Sequence, residues 1–92
     1  MALALSSHAA IVAFEVVSFF MADENKTIRV DVGRDLLAGI ESPPPASKNA
    51  YIERLTRHRR LFAHIAARKY DEGDYHPEVQ VLVVRITPDD FA

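Results

Sequence analysis

The chain has 92 residues, 49% apolar and 26% charged, with a formal net charge of −2, which is the make-up of one ordinary globular domain over 1–92. Without cysteine there is no disulfide framework, thiolate metal site or cysteine nucleophile, and no support for an oxidising compartment. The opening 1–21 is apolar, but it lacks a basic start and carries Glu15, which argues against both a signal peptide and a membrane span; a cytoplasmic protein with no membrane association is expected.

Residues 1–9 show no clear period and are expected to fray or to extend the strand that follows. Residues 11–21, IVAFEVVSFFM, are β-branched and aromatic, with Phe14, Val16, Ser18 and Phe20 alternating against Ala13, Glu15, Val17, Phe19 and Met21. Apolar residues on both faces suit a central strand or one partly covered by another subunit. A polar turn over 22–26 leads to a second strand, 27–32, whose Ile28, Val30 and Val32 face one way and Thr27, Arg29 and Asp31 the other; a four- or five-residue connection makes the pair a hairpin. Gly33 ends that strand, and Leu36, Leu37 and Ile40 mark a helix of one or two turns. The connector ESPPPASK over 41–48 is stiff and extended, and has no PxxP spacing.

Residues 47–70 contain neither Gly nor Pro and are filled with good helix formers, so one long helix is expected. Ser47 or Asn49 caps its start and Gly73 ends it. At 100° per residue, Tyr51, Ile52, Leu55, Phe62, Ile65, Ala66 and Tyr70 form the core arc. Glu53, Arg57, Arg60, His64 and Arg68 form the opposite stripe, with Arg54 alongside and with His58 and Arg59 at the edges of the arc.

From 48 to 70 there are seven Lys or Arg against one Glu, a formal +6, while the rest of the chain carries −8. The helix is a basic rod in an acidic setting. Glu53 before Arg57, the helix dipole at Arg68 and Lys69, and the acids Asp71, Glu72 and Asp74 would each offset the like-charge repulsion. Beyond it, 71–78 reads as an exposed loop and 79–86, VQVLVVRI, as a well-buried strand. Thr87-Pro88-Asp89-Asp90 reads as a single turn seating Phe91.

The expected fold is α+β: a small, mainly antiparallel three-stranded sheet with one long and one short helix, in the order β-β-α-α-β. One long helix leaves a sheet face bare, so a homodimer is expected.

The strand ending VSFF, the hairpin into IRVDV, the DLLAGI segment, the helix RHRRLFAHIAARKYDEG and the closing ITPDDF together resemble a small bacterial family of unknown function. The likeness spans nearly the whole chain. It implies an α+β fold and a bacterial, cytoplasmic protein, and it implies no catalytic residue. The triple proline and the strongly apolar opening depart from the family pattern.

No cofactor or metal is expected. His58 and His64 are six apart and cannot share an ion as an i, i+4 pair would; His76 with Asp71, Asp74 and Glu78 lacks the spacing of a calcium loop. There is no G-x-S-x-G, phosphate-cradling glycine loop or H-E-x-x-H, so a non-enzymatic protein is expected; the sharpest version of an active site would be Tyr75 and His76 beside Arg59. The candidate partner surface is Arg54, Arg57, Arg60, His64 and Arg68. It would serve an acidic protein partner of a homodimeric interaction or regulatory module, or nucleic acid, for which a pI near 6 and the lack of interleaved aromatics are unfavourable.

Overall fold

The computed structural model describes residues 3–5, 11–12, 15–24, 26–40, 45–78 and 81–91, without the side chains of 3–5 and 91. Expectations for residues 1–2, 6–9, Ala13, Phe14, Asn25, the start of the proline connector, the 79–80 strand entry and the seating of Phe91 lie outside the described residues.

The fold is α+β. In chain order it runs β1 (Leu3–Leu5), β2 (Ile11–Val12), β3 (Val16–Asp23), β4 (Lys26–Gly33), α1 (Arg34–Gly39), α2 (Lys48–Arg57), α3 (Arg59–Asp71), β5 (His76–Glu78), β6 (Val81–Ile86) and a 3-10 turn (Pro88–Phe91). The sheet order is β1-β3-β4-β6-β5, and β2 pairs β3 on the same side as β1, so six strands occupy five positions.

Four of the five described strand pairings are antiparallel, in keeping with the mainly antiparallel expectation, but the expected three-stranded sheet is corrected in two ways. First, β4 and β6 pair in parallel, because the chain leaves the end of β4 through the helices and returns alongside it. Second, two short edges are added. Leu3–Leu5 and Ile11–Val12 both pair β3, and the segment read as an exposed loop supplies β5, three exposed residues held against β6 by backbone pairing. The apolar 11–21 run is therefore two strands, β2 and β3, and β3 is an interior strand.

Alternation decides which face each residue takes. Val17–Val32–Ile86, Phe19–Val30–Val84 and Met21–Ile28–Leu82 form three rungs across β3, β4 and β6. All but the partly buried Leu82 are buried, and Leu37, Leu55, Phe62, Ile65 and Ala66 pack on them from the helices. The hairpin from β3 to β4 is tighter than expected: Asp23 pairs with Lys26, leaving two residues in the turn, with Glu24 at φ +55°.

The expected long helix starts and stops where the residues indicate. Ser47 Oγ accepts from the Ala50 N–H at 3.1 Å. At the other end Gly73, at φ +79°, closes a Schellman arrangement in which the Gly73 N–H bonds the Tyr70 carbonyl and the Asp74 N–H bonds the Lys69 carbonyl. The rod is not continuous, however. His58 has φ −104° and ψ 11°, and divides it into α2 and α3.

Two causes are visible. The Thr56 hydroxyl donates to the Ile52 carbonyl at 2.8 Å, a back-bond that bends helices. A straight rod over 47–70 would also run about 36 Å, against about 26 Å for an eight-residue strand. The break lets Leu55 on one side and Phe62 on the other both reach full burial.

Candidate functional site

Four of the five expected surface residues, Arg57, Arg60, His64 and Arg68, are exposed. Arg60, His64 and Arg68 are four apart on α3 and share one face over about 12 Å of its length. None of the three meets a carboxylate among the described residues. Leu61 flanks them and is 45% exposed. Arg57 belongs to α2, on the other side of the His58 break.

Arg54 departs from the expectation and is no part of that surface. It is 5% exposed, and its Nη1 donates to the carbonyls of Leu37 at 3.2 Å and Ala38 at 3.4 Å. The last carbonyls of α1 have no partner within their own helix, so a cation from α2 is drawn inward to meet them. A single-helix projection cannot show this, because the need arises on a different element.

The sheet face without helices carries a chain of polar contacts. Ser18 Oγ donates to Asp31 Oδ1 at 2.7 Å; Arg29 Nε donates to Oδ1 at 2.9 Å and Nη2 to Oδ2 at 3.1 Å. Arg29 Nη2 also donates to Glu78 Oε1 at 3.1 Å, and Glu78 Oε2 lies 3.2 Å from His76 Nε2. The hydrogen bond from Arg29 to Asp31 pushes the guanidinium pKa up, which fixes its charge. Asp31 is 2% exposed, so this face is a saturated network rather than a row of poised groups.

A cleft of about 740 Å³ opens at the carboxyl ends of β4 and β6, the parallel pair. Val16, Gly33, Leu36 and Ile86 give it apolar walls, and Glu15, Arg34, Asp35, Arg85, Tyr51 and Thr87 give it polar ones. The Arg34 guanidinium lies over the Tyr51 ring, 4.4 Å from its centroid. This volume falls within the range of about 300–1,000 Å³ typical of ligand pockets. Sequence reasoning missed the cleft because it did not foresee the parallel β4–β6 pair in a mainly antiparallel sheet. The available signal was Gly33-Arg34-Asp35 at a strand-to-helix junction, a place where open parallel sheets put ligands.

The residues of the alternative active site are not brought together. Tyr75 stacks on Tyr70 with ring centroids 5.0 Å apart, His76 is held to Glu78, and Arg59 opens α3 about 18 Å of helix away from its end. Among the described residues no three His, Asp or Glu stand close enough to hold a metal ion, and no helix is long and apolar enough to cross a membrane. Comparison with family models, with curated proteins and with solved structures finds no match for this chain.

Proposed function

We propose that this protein is a non-enzymatic interaction module, a homodimer in which each copy uses the basic face of α3 to dock an acidic segment of a partner protein. The observation that carries the docking reading is the exposed set Arg60, His64 and Arg68 with Leu61 beside it. A carboxylate-rich segment with an apolar side chain would meet both features, whereas phosphates would use only the charges. The dimer reading rests on the helix-free sheet face. There Ile11 is 52% exposed next to half-buried Val16 and Phe20, and Arg29, Arg85 and Glu78 supply both signs of charge, as a self-complementary contact requires. The family resemblance supports a bacterial, cytoplasmic setting.

The test is to titrate a Glu- and Leu-containing helical peptide, and separately a mixed-sequence DNA and RNA pool, at low and high salt. Wild type is compared with Leu61→Ser and with the triple variant Arg57→Ala, Arg60→Ala, Arg68→Ala. Peptide binding weakened by both variants supports the reading. Salt-sensitive nucleic-acid binding that survives Leu61→Ser would replace it with a phosphate-binding face. Light scattering that shows a monomer would end the dimer claim.

A further inference from the structure

The cleft at the carboxyl ends of β4 and β6 has a charge pattern that the docking reading does not use, and it shares Val16 and Arg85 with the proposed dimer face. Glu15 and Asp35 line it with no ion pair to any described residue, and so does Arg85. Arg34 is the second guanidinium, seated over Tyr51 at 4.4 Å. Among the described residues, two carboxylates and two guanidiniums stand around one opening, with no excess of either sign. They suit a ligand that carries both charges at short range.

A second hollow of about 390 Å³ adjoins the cleft as an annex: the two share Asp35, Leu36 and Pro88, and Gly39 and Ile40 also line the second. Among the described residues that line the annex, Asp35 alone is charged. A ligand that spans both parts has a zwitterionic head and an apolar tail.

We infer that this cleft binds a free α-amino acid with an apolar side chain. The carboxylate meets Arg85 and Arg34, the ammonium meets Asp35 or Glu15, and the side chain enters the annex between Leu36, Ile40 and Pro88. Arg34 arrives already ordered by the Tyr51 ring, so less side-chain freedom is lost when the carboxylate binds. No bond is made or broken; the site is for recognition. It stands independently of the proposed docking surface on α3, while Val16 and Arg85 are shared with the proposed dimer face.

The experiment is calorimetric titration of the full chain with L-leucine and with L-phenylalanine, beside 4-methylpentanoate, which lacks the amine, and 3-methylbutylamine, which lacks the carboxylate. Amide chemical shifts locate the response. The expected result is saturable binding of an amino acid at millimolar concentration or below, with each single-charge analogue at least about tenfold weaker. The shift changes should centre on Gly33, Asp35 and Thr87. Arg85→Gln and Asp35→Asn, both at exposed positions, should each weaken binding about tenfold while leaving the melting temperature unchanged.

Absence of saturable binding for both amino acids overturns the assignment. So does equal binding of the acid analogue, which would make the cleft a receiver of carboxylates or chain ends. Shift changes confined to α3 would overturn it as well, without touching the docking proposal.

Discussion

Lys69 Nζ, near the end of α3, lies 2.9 Å from Asp90 Oδ2 in the closing 3-10 turn, and it also donates to the backbone carbonyl of Arg85. Asp74 adds a second carboxylate at 3.5 Å. Lys69 is 7% exposed, so this contact ties helix, last strand and terminal turn together largely shielded from bulk water. Lys69→Met should cost about 2–3 kcal/mol, because it leaves a half-buried carboxylate and a carbonyl without their donor. The exposed neighbour Arg68→Met should cost less than about 0.5 kcal/mol. Urea unfolding of the two variants checks the contrast; equal losses would refute it.

Burial pushes the Asp90 carboxyl up, but the Thr87 amide and the Lys69 ammonium outweigh it and hold it below its ordinary value of 3.8. A depressed carboxylate contributes stability that is present above its unfolded value and lost as pH falls through its folded value. Stability should therefore drop below about pH 4, and Asp90→Asn should be less stable at neutral pH with a flatter acid limb. Unfolding free energy measured against pH decides; an acid limb of unchanged steepness in Asp90→Asn would count against it.

At the other end of the sheet, Tyr70 Oη donates to Asp23 Oδ2 at 2.6 Å. This hydrogen bond, then burial, pushes the Tyr70 hydroxyl up to about 12 from 10.0. The contribution is fully present below pH 10.0 and lost as pH rises through about 12. Phenolate absorbance should show a late titration step, and Tyr70→Phe should remove it. Retention of the late step in the variant would assign it elsewhere.

Arg54 closes the carboxyl end of α1 from inside the structure. Arg54→Met keeps most of the volume and removes the donor to Leu37 and Ala38, so a loss of about 1.5–3 kcal/mol is expected, with hydrogen-exchange protection falling first in α1. Because Arg54 lies outside the exposed stripe, peptide binding by the folded variant should be unchanged.

Glu24 holds a left-handed backbone, at φ +55°, in a two-residue hairpin turn. Glu24→Gly should stabilise the protein by about 0.5–1 kcal/mol, since relief of the positive-φ penalty exceeds the added freedom of the unfolded chain. A lower melting temperature in the variant would refute this.

What could be read without coordinates was what neighbouring residues determine. Period-two alternation in TIRVDV set Ile28, Val30 and Val32 on one face of a half-buried strand, whereas in 11–21 both faces are apolar and alternation alone left open that Val17, Phe19 and Met21 are the ones turned to the helices. A cap at Ser47 or Asn49, the stop at Gly73 and the exposure of Arg60, His64 and Arg68 follow from local backbone chemistry and helical spacing, and the structure selects Ser47. Leu55, Phe62, Ile65 and Ala66 were legible as the core stripe for the same reason.

Tertiary structure alone decided how these pieces meet. Whether β6 lies parallel to β4 depends on the path of the chain through three helices, and that path created the cleft between Arg34 and Arg85. The carbonyls of Leu37 and Ala38 drew Arg54 inward, and the finite length of the sheet favoured a break at His58. Lys69 looks like a last-turn surface cation until Arg85 and Asp90 are placed beside it. In each case the deciding partner is distant in sequence, so no local pattern could carry the information.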